Sequence, residues 1–388
     1  MHRISDEQRR ARLGRRHLLA PSTRAATAVE AADAVVALHA TDAATVFLSA
    51  CARLTDASVA AVEQALYEDV TLVRALSLRN TLFVVSRELA PAVDASTARA
   101  IAAKERKTLL KHFAEDPGGL DADWLAAAED ATLAELSSRT HATGSELSAA
   151  VPALRTKITV FPGKKWETEQ GVASRVLRVL AAEGRIRRDR PRGSWTSSQF
   201  RWTASEPWPV TPAAEARAEL AQSYLRSYGP ATEADLKWWT GWTLTDVRKA
   251  LAATGAEEVQ LDDGSRGVVA PGDTAPDPAP EPWAALLPGL DPSAMGWADR
   301  SFHLAADHRP ALFDRSGNIG PTVWWNGEIV GGWAQRADGE IVWRLLKDPG
   351  KAAARAVEAE AARLSGWVGE ARITPRFRTP LERELSAG

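Results

Sequence analysis

The chain has 388 residues, 45% hydrophobic and 25% charged, with a formal net charge of −2. That length and composition suit a globular protein of roughly two to four domains, and the near-zero charge excludes a chain that is basic throughout. The single cysteine, Cys51, excludes a disulfide framework and a cysteine zinc cluster.

Of the 48 basic residues 38 are Arg and 10 are Lys, a bias that suits bidentate contacts to phosphate and guanine. No apolar run approaches the ~20 residues of a membrane span, and a reducing, cytoplasmic setting is expected.

The first stretch, MHRISDEQRRARLGRRHLLA, lacks the apolar core of a signal peptide. Residues 1–24 read as a basic arm. Helical patterns follow over about 25–38, 43–54 and 58–77, and NTLFVVS at 80–86 reads as a strand. The first two helical stretches are broken by His39, Ala40, Thr41 and Asp42. Thr41 or Asp42 can cap the helix that starts near Ala43, and His39 can interact with a helix dipole. The same imidazole, hydroxyl and carboxylate can also form a reaction centre.

The middle of the chain holds a repeat. ATGSEL at 142–147 matches ATEADL at 231–236, and LAAEG at 180–184 matches LAATG at 251–255, in the same order. Thr143 with Glu146 and Thr232 with Asp235 are capping boxes. Gly184 and Gly255 sit where a helix needs a left-handed C-terminal residue. A hairpin pattern follows each stop, with Asp263-Gly264 as the second turn. Helix, turn, helix and two-stranded wing is the order of a winged helix. The first 100 residues show the same order without the sequence match.

The second unit is rich in Arg. Val172, Val176, Val179 and Leu180 form an apolar stripe, and Arg175 and Arg178 fall off it. With Arg187, Arg188, Arg190 and Arg192 on the following wing, they suit a phosphate backbone. The third wing, carrying Glu257, Glu258, Asp262 and Asp263, is acidic.

PGDTAPDPAPEP at 271–282 is a Pro-rich linker. PTVWW, EIVGGWAQR and EIVWRLL then read as a meander joined by Asn326-Gly327 and Asp338-Gly339. Gly331-Gly332 suggests a bulge or close backbone approach. Trp324 and Trp325 face opposite ways on a strand, so one of them is expected to be exposed. The expected fold is α+β: three tandem winged-helix domains followed by a small β-barrel-like domain or a sheet with one helix laid against it. The expected boundaries are a basic arm at 1–24, winged helices at 25–120, 121–210 and 211–282 (the last with the linker), and the barrel-like domain at 283–388.

Five stretches together carry a family resemblance: LHATDAATVFLSACARL, LVRALSLRNTLFVV, LPGLDPSAMGWADR, LFDRSGNIGPTVWWNGEIVGGWAQR and PRFRTPLERELS. The chain resembles the winged-helix DNA glycosylases of the AlkZ/YcaQ type, which remove bulky alkylated or crosslinked purines. The resemblance implies three winged helices and a β-barrel forming a C-shaped cleft around duplex DNA. It places the catalytic Gln-x-Gln, or Gln-x-Asp, at His39 and Thr41, a departure from the pattern, with Asp42 adjacent.

The resemblance implies a water held near the anomeric carbon. His39 supplies a neutral acceptor or weak base, Thr41 one donor and one acceptor, and Asp42 a charge to steady the sugar cation or orient His39. The turn from Asp314 to Asn318, with Arg315, is the expected probe toward the lesion. Arg376 and Arg378 in the tail are further expected DNA contacts. His303 and His308 lack a third ligand, so no metal or other cofactor is expected.

The resulting expectation is a monomeric, monofunctional glycosylase in the bacterial cytoplasm at the nucleoid. Its partner would be double-stranded DNA carrying alkylated purines, with no membrane association. The alternative is a non-catalytic winged-helix DNA-binding protein, a regulator or lesion binder, motivated by the absence of both Gln residues.

Overall fold

The structure is a computed structural model that describes residues 1–387. Residues 1–24, read as a basic arm, are instead folded into β1 (His2–Arg3) and α1 (Asp6–Arg16). The Ser5–Gln8 capping box starts α1. Arg12 and Arg16 pair with Asp273 of the Pro-rich loop, and Arg16 also with Asp277, at 2.7–3.2 Å. Two of the arm's charges are therefore met by the acidic loop rather than offered to a partner.

The first unit runs α2 (Ala28–Asp33), β2 (Leu38–His39), α3 (Ala43–Ala52) and α4 (Val59–Glu63), then a π-helical turn at Gln64–Glu68. β3 (Leu72–Ser77) and β4 (Thr81–Ser86) follow, and the sheet order is β2-β4-β3. The helix expected over 58–77 thus stops at Glu68. Residues 72–77 pair with β4, Leu72 opposite Ser86 through Ser77 opposite Thr81. Cross-strand pairing overrides a local apolar spacing that fits either element.

α5 (Ala90–Val93), a π-helical turn at Asp94–Ala98 and α6 (Arg99–Glu115) lead to the second unit. That unit contains α7 (Ala122–Ser138), α8 (Gly144–Ala150), β5 (Lys157–Val160), β6 (Thr168–Gly171), α9 (Ala173–Ala182), β7 (Ile186–Asp189) and β8 (Arg201–Ala204). The β5–β6 hairpin is an insertion that the repeat did not reveal. The third unit contains α10 (Ala213–Tyr228), α11 (Glu233–Thr240), α12 (Leu244–Thr254), β9 (Glu257–Gln260) and β10 (Arg266–Val269). β1 adds to it in parallel beside β9.

The repeat's local signals are visible as geometry. Both capping boxes are formed, and Gly184 and Gly255 have φ of 71° and 69°. In each of these two units a single bridge, Ala142–Trp202 or Ala231–Val268, stands where the first unit has β2.

The C-terminal part contains β11 (Ala284–Leu287), α13 (Pro292–Met295), α14 (Arg309–Leu312), β12 (Thr322–Trp325), β13 (Glu328–Gln335), β14 (Ile341–Leu345), α15 (Lys351–Val368) and α16 (Pro380–Ala387). The expected barrel does not close: the order β11-β12-β13-β14 leaves β11 and β14 as edges. Helices replace closure. Val323, Val330 and Trp333 join the core on the α15 side, and Trp324, Ile329 and Ala334 join the core on the α16 side. With both faces covered, Trp324 is fully buried and Trp325 half-buried, so neither is the exposed indole expected from strand alternation.

The bulge in the middle strand is real. Val323 pairs with Gly331 and Trp324 with Ile329, leaving Val330 as the extra residue. A Cβ on Gly331 would lie 2.1 Å from the Arg344 carbonyl oxygen, so that position admits only glycine.

Candidate functional site

Three local features fix the motif. His39 ends β2, paired with Phe83 of β4. Asp42 caps α3, its Oδ1 accepting from Ala44 N–H at 3.2 Å. α3 itself is almost wholly buried. A buried network then pins α3 to the C-terminal part. Arg53 donates through both terminal nitrogens to Asp291, at 2.8 and 2.9 Å, and both side chains are fully buried. Ser49 Oγ donates to Asp291 Oδ2 at 2.7 Å, and Arg53 Nη2 donates to Ser293 Oγ at 2.8 Å.

His39 is 6% exposed. Its Nδ1 accepts from Thr41 N–H at 3.5 Å, and its ring meets Phe83 edge to face. Burial, with the Arg79 charge behind it, pushes its pKa down to about 4. The ring is therefore neutral at physiological pH, and with Nδ1 accepting it carries its proton on Nε2.

His39 and Thr41 both line a cleft of about 1110 Å³ between the first and second units. Asp42 does not. Its second oxygen accepts from Arg376 N–H at 2.9 Å, so both oxygens serve the backbone. The carboxylate expected to act on the sugar is instead a helix cap that ties the C-terminal tail to the motif.

The cleft wall carries Arg74, Arg175, Arg178, Arg187, Arg188 and Arg376 and one carboxylate, Glu105. Burial alone would raise Glu105, but Arg178 at 2.9 Å overrides it and holds the carboxyl low. Arg175 donates to His112 Nδ1 at 2.8 Å and Gln170 Oε1 at 2.6 Å, neither an anion. Arg188 lies 3.8 Å above the Phe200 ring. An excess of cations along an open groove suits a polyanion.

Other expected contacts lie elsewhere. Arg190 pairs with Glu63 and Glu68, and Arg192 with Glu146, so neither is free for phosphate. Arg378 pairs with Glu382 off the cleft. Arg315 is exposed at the tip of its turn and does not line the cleft, whereas Asn318 does, held by Asp314 at 2.8 Å. His303 is buried against Trp324 and does not line the cleft. Among the described residues no group of His, Cys, Asp and Glu is placed to hold a metal. Among the described residues no helix is long and apolar enough to cross a membrane.

Sequence reading missed Arg74 because 58–77 looked helical. Read as a strand, Arg74 and Leu76 share one face, and both line the cleft. A salt titration checks the electrostatic reading. The five cleft Arg that are not paired with a carboxylate predict roughly 500-fold weaker duplex binding at 200 mM than at 50 mM salt.

The AlkZ-like DNA glycosylase family model matches residues 32–367, and the chain belongs to that family. An interstrand DNA cross-link repair glycosylase from Streptomyces sahachiroi is 30% identical over 170 residues, covering 42% of this chain and 46% of that protein. The chain thus matches about half the length of that relative. The solved structure of the Streptomyces sahachiroi DNA glycosylase AlkZ is similar in fold, with a TM-score of 0.70 at 21% identity. That likeness covers 96% of this chain and 99% of the other.

Proposed function

We propose that the chain is a monomeric, monofunctional DNA glycosylase that hydrolyses the N-glycosidic bond of bulky N7-alkylguanine in duplex DNA, including crosslinked guanine. Its three repeated units are winged helices, the first two of which form the groove with the C-terminal part, and it works at the bacterial nucleoid. The carrying observation is that His39 and Thr41 stand together on the wall of a cleft with six Arg and one neutralised carboxylate. Membership of a glycosylase family supports the same reading.

An N7-alkylated guanine is already cationic. When the C1′–N9 bond breaks, its electron pair neutralises the base, so no strong general acid is needed. Water must then add to the sugar cation. His39 Nε2–H donates to that water and the Thr41 hydroxyl accepts from it. The proton released on attack passes to solvent through the open cleft. No lysine lines the cleft, which favours hydrolysis over a Schiff-base lyase route.

A single-turnover assay on an N7-alkylguanine duplex tests the reading. Base release with an abasic site, and no strand break before alkali, is the expected result. Tight binding with no release at any enzyme concentration would establish the non-catalytic reading, which the two missing Gln residues favour.

The pH profile tests the role of His39 separately. With a pKa of about 4, the neutral ring persists through neutral pH. Excision is expected to be flat from about pH 8 to 6 and to fall only toward pH 4, where a proton on Nδ1 opposes the Thr41 N–H and sets a positive charge beside the sugar cation. A fall centred near the ordinary histidine value of about 6.5 would rule out a buried neutral imidazole.

A further inference from the structure

A second chamber of about 450 Å³ adjoins the cleft behind Thr41. The two share a wall made of Thr41, Arg74, Arg188, Ser198, Phe200 and Arg376. The three Arg come from separate parts of the chain: β3, β7 and the segment before α16. None of them forms an ion pair among the described residues. The two carboxylates beside the chamber are already occupied, Asp42 by two backbone N–H groups and Asp189 by His141 at 3.4 Å.

Aromatic faces hold these guanidinium groups without discharging them. Arg74 lies 5.4 Å from the Tyr67 ring, Arg188 3.8 Å from Phe200, and Arg376 5.8 Å from Phe377. Such contacts orient the plane of a guanidinium and leave its N–H groups free for an anion. The backbone N–H of Arg376 is tied to Asp42, next to the motif.

We propose that Arg74, Arg188 and Arg376 form a clamp for one phosphodiester of the damaged strand, next to the lesion nucleoside, and so seat its sugar against His39 and Thr41. The inference rests on the glycosylase reading for its substrate, and it makes Asp42 a positioning residue acting through Arg376. Burial and the mutual repulsion of Arg74, Arg376 and Arg178 push Arg188 down to about 10. A bound phosphate relieves that repulsion. An acidic group on the adduct is the other source of the same chemistry.

The test uses duplexes containing N7-methylguanine, which carries no acidic group. One phosphate at a time around the lesion is replaced by an uncharged methylphosphonate. Excision and binding are measured with the intact chain and with Arg188→Gln and Arg376→Gln. One position next to the lesion is expected to slow excision at least 10-fold in the unaltered protein and no more than 2-fold in either variant. Equal losses in all three proteins, or no sensitive position, overturn the clamp, the latter leaving the acidic group as its ligand. Because the change is on the DNA, misfolding cannot produce a position-specific effect. If no base is released, the same comparison on binding affinity decides the clamp while the glycosylase reading falls.

Discussion

Asp291→Ala is expected to destabilise the protein by about 3–5 kcal/mol, the usual cost of removing one partner of a buried pair. The substitution leaves the Arg53 guanidinium fully buried and without its anion. It also strands Ser49 Oγ, which donates to Asp291. Thermal and urea unfolding read the loss. A loss below about 1 kcal/mol would show that water reaches Arg53.

The same network predicts acid lability. His17 is fully buried, its Nδ1 accepting from Ser293 Oγ at 2.8 Å and its Nε2 contacting the Ser227 carbonyl at 3.2 Å. Burial, with Arg53 nearby, lowers its pKa to about 3. Its folded pKa lies below the unfolded value of about 6.5. Its contribution is therefore complete above pH 6.5 and is lost as pH falls toward 3. Burial alone would raise Asp291, but Arg53 overrides it and holds that carboxyl low. Its own contribution is present above about pH 4 and is lost below that. Stability is thus expected to fall steadily on acidification from pH 6.5.

His39→Ala is expected to lower single-turnover excision about 100-fold or more, within the range for a positioned proton donor or acceptor. Duplex binding should change little, because His39 is not one of the cleft's cations. His39→Gln is the informative partner. It returns an amide that can donate and accept, and should retain activity within about 10-fold of the unaltered protein. Full activity in His39→Ala would remove the imidazole from the mechanism. Asp42→Asn should act differently, since Asp42 holds the Arg376 backbone and the start of α3. Its loss should follow the Arg376→Gln variant rather than His39→Ala.

The family was legible because its stretches serve both structure and site. LPGLDPSAMGWADR carries Asp291 and Ser293, and SACAR carries Ser49 and Arg53, which together place the helix behind the motif. Thr143 with Glu146, Thr232 with Asp235, Gly184 and Gly255 were readable because caps and left-handed stops act over a few residues. The β5–β6 insertion was not, since its short strands lie in a stretch without strong alternation.

The sequence by itself determined the helix caps and stops, the repeat and the family. Each of these depends on neighbours along the chain. The tertiary structure decided which charges are free. Arg190, Arg192 and Arg378 looked like Arg188 and Arg376 in the sequence, yet the first three meet carboxylates and the last two do not. It also turned Asp42 from the cleft to the Arg376 backbone, 334 residues away, and left the C-terminal sheet open by covering both faces with helices. Pairing of distant charges and coverage of a sheet are set by what packs alongside, and no spacing within one segment encodes that.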